Sequence, residues 1–182
     1  MNSLILVNRE HPYSNKRERL VAIDYGRNTV YLSSRCAAAL SKLMDELHTW
    51  NKICAISGWR SQEEQEKIYN ESLLQNGAEF TAKYVALPGH SEHQTGLAVD
   101  LALNQPDINF LRPYFPYTGI CGDFRNKAHD YGFVERYPKG KEDITGIAHE
   151  PWHFRYVGVP HARRMKKMGI TLEEYLWEKQ SR

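Results

Sequence analysis

Two short segments hold most of the residues able to do chemistry. The first reads Gly89-His90-Ser91-Glu92-His93-Gln94-Thr95-Gly96-Leu97-Ala98-Val99-Asp100, the second His149-Glu150-Pro151-Trp152-His153. Four of the eight histidines lie in them, each near a carboxylate. A catalytic zinc site takes three nitrogen or oxygen ligands and keeps one position open for water. His93, Asp100 and His153 form such a set. Two imidazoles and one carboxylate leave bound Zn2+ with a net charge of about +1, enough to bring the pKa of a bound water to about 7. Attack on an amide also needs a base, and Glu150 is available beside the metal without ligating it. Asp100 sits in an apolar run, where an unpaired carboxylate would cost several kcal/mol; a ligand role accounts for it.

The second segment also satisfies H-E-x-x-H, which on a helix sets two zinc ligands one turn apart. Pro151 speaks against a helix here. Trp152, Phe154 and Tyr156 alternate with His153, Arg155 and Val157, the period of a strand. In a strand His149 and His153 would stand about 13 Å apart, too far to share one ion. The strand reading, with His153 alone as ligand, is preferred.

The elements that must position these groups follow from the pattern. Short strands are expected at residues 4–7, 29–32 and 53–57, the second after the turn signal Gly26-Arg27-Asn28. Leu40, Leu43, Met44 and Leu47 form one stripe of a helix over residues 36–50. Ser61-Gln62-Glu63-Glu64 is a capping box opening a helix to about Leu74, before the stop signal Asn76-Gly77. A buried strand is expected at residues 96–103. Residues 104–122, rich in Pro and Gly, read as a long loop with at most a helical turn, the kind that carries function, in which Tyr114, Phe115 and Tyr117 either wall the site or pack onto the domain. A helix near residues 123–131, strands at 133–137 and 152–157, and one or two helices from Pro160 complete the chain, the last opening on the capping box Thr171-Leu172-Glu173-Glu174. This order predicts an α+β fold with an antiparallel sheet, in one domain spanning residues 1–182.

Composition narrows the classes. Twenty-four basic against 22 acidic residues, a net charge of +2, give no basis for a nucleic-acid partner. The short basic run at residues 163–167 reads as a solvated helix face. Three scattered cysteines without a CxxC pair suggest neither a disulfide framework nor a thiolate metal site. The apolar run at residues 4–7 is too short for a secretory segment, and nothing elsewhere approaches a membrane span. The expectation is a soluble, cytoplasmic protein without membrane association; nothing in the composition specifies an oligomer.

At these residues the sequence resembles the D,D-carboxypeptidase and D,D-dipeptidase family of bacterial cell-wall metallopeptidases. Its pattern is S-x-H-x-x-G-x-A-x-D followed downstream by E-x-W-H. Ser91, His93, Gly96, Ala98, Asp100, Glu150, Trp152 and His153 match every specified position. Ser57-Gly58-Trp59-Arg60-Ser61 is similar to the family's S-G-Y-R-S stretch. A likeness to the VanXY-type enzymes of glycopeptide resistance covers nearly the whole chain, through residues 1–8, 85–89, 91–94 and 144–158. The resemblance implies a hedgehog/D,D-peptidase-like fold and a Zn2+ cofactor. It assigns the stabilisation of the developing oxyanion to Arg60 and the grip on the substrate's terminal carboxylate to Gln65 and Ser91. Ser57, where some bifunctional relatives carry Asp, and Trp152 join them as substrate-binding residues. The implied substrates are small peptides, D-Ala-D-Ala and the muramyl pentapeptide precursor, whose removal underlies vancomycin resistance. Rival readings are an L,D-carboxypeptidase or endopeptidase of the same superfamily and, from another class, a zinc-stabilised signalling module of the hedgehog type; the pair Glu150 and Arg60 favours the enzyme. The loop at residues 104–122 falls where the group carries a selectivity loop, and His90 replaces a smaller residue.

Overall fold

The computed structural model describes residues 2–14, 18–24 and 28–181; the turn expected at Gly26-Arg27-Asn28 lies largely outside them. A two-stranded sheet of β1 (Leu20–Ile23) and β2 (Val30–Ser33) precedes helix α1 (Ser34–Glu46). The main sheet has the order β3-β4-β6-β5 and is antiparallel throughout, with β3 at Ile53–Ser57, β4 at Ala98–Leu103, β5 at Phe133–Tyr137 and β6 at Glu150–Tyr156. Helix α2 (Gln62–Tyr84) follows β3, α3 (Gly119–Lys127) and α4 (Glu142–Thr145) flank β5, and α5 (Val159–Met168) and α6 (Leu172–Gln180) close the chain. The α+β expectation holds. No helix among the described residues is long and apolar enough to cross a membrane.

Alternation along β4 divides the sheet's two faces. Val99 and Leu101 point into the principal core with Leu40, Leu43 and Met44 of α1, Leu32 of β2 and Phe154 of β6, all fully buried. Asp100 and Ala102 point the other way. Register then decides what accompanies Asp100. It pairs with His153 of β6 on one side and Ser57 of β3 on the other, and cross-strand partners share a face. Each outer pairing is irregular nearby. Ala55 lies opposite Leu101 but Ser57 opposite Asp100, so Ile56 is an extra residue in β3. Glu135 lies opposite Phe154 but Tyr137 opposite Glu150, so residues 151–153 face Arg136 alone. In an unbroken strand Glu150 and His153, three apart, would project to opposite faces; the bulge turns both to the same one.

Several expected elements differ. Residues 4–7 form no strand: the carbonyls of Ser3 and Ile5 accept from the Arg155 guanidinium at 3.2 and 2.7 Å, and Leu4 packs with Val157, Ala162 and Leu172. Helix α1 begins two residues early, capped by Ser33, and ends at Glu46 because His48 adopts φ 50°. The stop signal at Gly77 operates, with φ 81° and ψ 170°, but the helix resumes to Tyr84, and buried Ser72 and Thr81 hydrogen-bond across the break at 2.7 Å. Both capping boxes form. Helix α3 starts at Gly119, inside the expected loop, and the remainder of the 123–131 helix is the 3-10 turn Ala128–Tyr131. Strand β1, α4 and the 3-10 turn Glu92–Thr95 carry no clear periodicity and were not anticipated.

Candidate metal centre and active-site cavity

His93, Asp100 and His153 converge. One ligand atom from each lies within 4.8 Å of the other two, and all three residues are buried. His93 Nε2 is 3.2 Å from Asp100 Oδ2, and His153 Nδ1 is 3.0 Å from Asp100 Oδ1. The opposite ring nitrogens are held from behind. His93 Nδ1 donates to the Gly58 carbonyl at 2.7 Å, and His153 Nε2 faces Glu92 Oε2 at 3.5 Å. Such outer partners set tautomer and ring direction in metal sites. Asp100 Oδ1 is buried and, although close to His153 Nδ1, receives no well-directed hydrogen bond from any described residue, as suits an atom reserved for a cation. The donor set and this orphaned oxygen fit a divalent metal.

Two glycines make the arrangement possible. A Cβ on Gly58 would stand 2.4 Å from the Tyr31 carbonyl oxygen, so no side chain fits where the backbone reaches His93. Gly96 ends the 3-10 turn that carries His93, at φ 71°, with its carbonyl accepting from Ser33 N at 2.8 Å.

Glu150 Oε2 lies 3.8 Å from His153 Nδ1. Burial pushes its carboxyl up to about 8, within the range of a group that takes and returns protons near neutrality. Burial and the nearby Arg60 charge lower the His93 pKa, keeping it neutral. Burial also works against a charge on His153, yet the carboxylates of Asp100 and Glu92, which face its two ring nitrogens, hold its pKa up at about 9.

Arg60 donates to Asp100 Oδ2 at 3.1 Å and is steadied by two bonds to Ser57 Oγ, at 2.8 and 3.1 Å, and one to Gln65 Oε1 at 3.3 Å. Gln65 is fully buried behind Arg60, and its amide donates to the Ala86 carbonyl. Ser57, Arg60, Ser91 and Trp152 line a cavity of about 340 Å³ together with the ligands and Glu150; Gln65 does not. A volume near the low end of the small-molecule range suits a short peptide end.

Of the two readings open for the loop aromatics, packing onto the domain holds for Phe115 and Tyr117, and other loop residues supply the wall. Phe110 and Leu111 reach the cavity. Phe115 instead packs on Phe124 and Phe154 in the core, Tyr114 is exposed, and Tyr117 turns toward Glu135 and His149. His90 donates to the Asn8 carbonyl at 2.8 Å and is absent from the cavity lining. His149 meets Tyr117 and stands outside the group formed by His93, Asp100 and His153, so the helical H-E-x-x-H alternative fails because β6 is a strand.

Two residues of the site escaped the sequence. Glu92 is wholly enclosed, bonded to Arg136 Nε at 2.8 Å and Arg155 Nη1 at 2.6 Å. Burial opposes its charge, but the two guanidiniums hold the carboxyl well below the usual range. Tyr137 lines the cavity with its ring centroid 4.9 Å from that of His153. Glu92 stands inside the first motif between Ser91 and His93, but nothing local in the sequence pairs it with Arg136 and Arg155.

Comparison with known proteins agrees with this geometry. The profile of the family described as "VanY: D-alanyl-D-alanine carboxypeptidase" matches residues 29–159. The chain is 40% identical over 178 residues to the bifunctional D-Ala-D-Ala dipeptidase and D-Ala-D-Ala carboxypeptidase VanXYC of Enterococcus gallinarum, covering 96% of this chain and 94% of that protein. Among solved structures it is similar to the vancomycin resistance D,D-dipeptidase VanXYg in complex with a D-Ala-D-Ala phosphinate analog, with a TM-score of 0.94 and 51% identity over 97% of this chain and 70% of that one. It is also similar to a variant of the D,D-pentapeptidase VanY from a VanB-type resistance cassette, in complex with Zn(II), with a TM-score of 0.81 and 32% identity over 97% of this chain and 99% of that one.

Proposed function

Since the chain belongs to the VanY family of D-alanyl-D-alanine carboxypeptidases, we propose that residues 1–182 act as one zinc peptidase that hydrolyses D-Ala-D-Ala and removes the terminal D-Ala of muramyl pentapeptide precursors, conferring vancomycin resistance. The observation that carries the reading is the meeting of His93, Asp100 and His153 in one cavity wall with Glu150 beside them and outside the ligand set. A structural metal would need the three ligands but neither a buried, proton-accepting carboxylate nor a cavity. Zinc is favoured by the two-imidazole, one-carboxylate donor set and by its presence in a solved relative.

When bound, zinc supplies Lewis acidity that polarises the scissile carbonyl and acidifies water. Glu150 takes the proton of the attacking water and returns it to the leaving amine, with a carboxyl already poised near neutrality. Arg60 reaches from the cavity wall toward the developing oxyanion, a contribution of about 3 kcal/mol for a single well-placed donor. Ser57 and Gln65 hold the Arg60 fork in place, so Gln65 acts through Arg60. Ser91 faces the cavity as a donor for the substrate's terminal carboxylate, and Trp152, with Phe110 and Leu111, supplies the apolar wall for the alanyl methyl groups. Three free, buried cysteines suit a reducing compartment, and the cytoplasm is the proposed location.

The test is quantification of D-Ala released from the dipeptide and from the muramyl pentapeptide by one preparation, with a muramyl tetrapeptide alongside. Release from both, abolished by a chelator and restored by Zn2+, is expected. Hydrolysis of the tetrapeptide alone would replace the reading with an L,D-carboxypeptidase, and metal retained without any hydrolysis would replace it with a binding module.

A further inference from the structure

Outside the metal site, one buried guanidinium ties together three separate segments of the chain. Arg125 of α3 has a side chain only 10% exposed. It pairs with Glu135 Oε2 of β5 through Nη1, and its Nη2 donates both to the Phe115 carbonyl at 3.1 Å and to the Pro151 carbonyl at 2.9 Å. Its guanidinium lies over the Tyr117 ring, 4.0 Å from the centroid. The other Glu135 oxygen accepts from the Tyr117 hydroxyl. With that proton committed, His149 Nε2, 2.7 Å away, is the donor to the Tyr117 oxygen.

The chain positions of these partners matter. Phe115 and Tyr117 belong to the segment that brings Phe110 and Leu111 into the cavity. Pro151 and His149 flank Glu150, and Pro151 lies in the bulge that turns Glu150 toward His153. One side chain therefore holds both the segment that supplies the wall of the cavity and the backbone that follows the base. A fork can satisfy acceptors in three directions at once, which a single ammonium cannot. A buried charge pair of this kind contributes little to stability beyond an apolar replacement, so its value lies in fixing geometry.

We infer that Arg125 is a positioning residue for the peptidase reaction, clamping the segment 104–118 and the start of β6 into one unit so that Phe110, Leu111 and Glu150 keep a fixed relation. The inference rests on Glu150 serving as the base. Arg125 touches no metal ligand, so its replacement leaves metal stoichiometry unchanged. Arg125→Gln releases both tethers and is expected to lower kcat at least tenfold. Arg125→Lys keeps the charge and the fold but spans fewer acceptors, and is expected to lose at least fivefold in kcat. Tyr117→Phe keeps the ring over the guanidinium and removes only the hydroxyl links, freeing the loop side; KM is expected to rise three- to tenfold with kcat within twofold.

The experiment measures kcat and KM for D-Ala-D-Ala on the zinc-loaded full chain and its three variants, together with amide hydrogen exchange over residues 104–118 and 147–152. Faster exchange in both segments for Arg125→Gln and Arg125→Lys, in the first alone for Tyr117→Phe, and the stated kinetic split support the clamp. Wild-type kcat and KM in Arg125→Lys, or unchanged exchange in both segments, overturns it. Should Arg125→Gln fail to fold, the lysine and phenylalanine variants decide the matter. A wild-type enzyme that releases no D-Ala would sink the peptidase reading, while exchange would still judge the clamp.

Discussion

Replacing Glu92 should separate the two jobs its carboxylate performs. It is fully enclosed and bonded to Arg136 and Arg155 at 2.8 and 2.6 Å, with His153 Nε2 at 3.5 Å. Breaking a buried ion pair costs about 3–5 kcal/mol because the partner charge is stranded. Here both guanidiniums keep other acceptors, Arg136 the Glu173 carboxylate and Arg155 the carbonyls of Ser3, Ile5 and Tyr156. The cost for Glu92→Ala therefore falls at the low end, about 3 kcal/mol, and Glu92→Gln, which retains one acceptor oxygen, loses about 2 kcal/mol. For a chain of this size that corresponds to a Tm lower by roughly 4–8 °C for Gln and 6–12 °C for Ala. Separately, loss of the group behind His153 weakens metal binding by about 10–100-fold. Since a metal that binds only the native state stabilises it by mass action, the gap in stability between zinc-loaded and chelator-treated protein should shrink by about 1.4–2.7 kcal/mol. Thermal unfolding with and without chelator, plus a competition titration for Zn2+, reads both quantities. A Glu92→Gln protein whose metal affinity matches the parent's, whatever its Tm, would refute the claim that Glu92 orients His153.

Other outcomes follow from the same geometry. Glu150→Ala should bind one metal per chain by elemental analysis, yet hydrolyse D-Ala-D-Ala about 10²–10⁴-fold more slowly. Ser57→Ala should cost no more than about tenfold in kcat, because Arg60 retains Gln65 and Asp100, whereas Arg60→Ala should cost about 10²–10³-fold. His153, raised to about 9 in the metal-free protein, must surrender its proton to ligate. Apparent Zn2+ affinity should accordingly climb with pH by up to about tenfold per unit below that value. The contribution of charged His153 to the metal-free fold runs the other way: it is complete below the ordinary histidine pKa and lost as pH rises through about 9. Chelator-treated protein should lose Tm from pH 7 to 9 while zinc affinity grows, measured by unfolding and metal competition at each pH.

The convergence of His93, Asp100 and His153 was legible because most of its signals are local and redundant. The five motif positions of the first segment lie within ten residues, and the structure exposes a reason for three of them: His93 for its place on the 3-10 turn, Gly96 for the left-handed backbone that ends that turn, and Asp100 for its place on a central strand. Strands β3 and β5 and both capping boxes were likewise readable, since a short strand-prone run or a Ser/Thr-x-x-Glu needs no distant partner.

What the tertiary structure decided depends on segments far apart in the chain. Buried Arg136 and Arg155 read as surface charges until Glu92, 44 and 63 residues away, closes on them. Arg125 gains meaning only from Glu135 and the carbonyls of Phe115 and Pro151. The bulges beside Ser57 and Glu150 exist only when strands pair, yet they choose the face to which each side chain turns. A sequence names the groups able to bind a metal and move a proton. Which of them share a face, and which buried charges hold them there, is settled by register and long-range pairing, energies that no single segment contains.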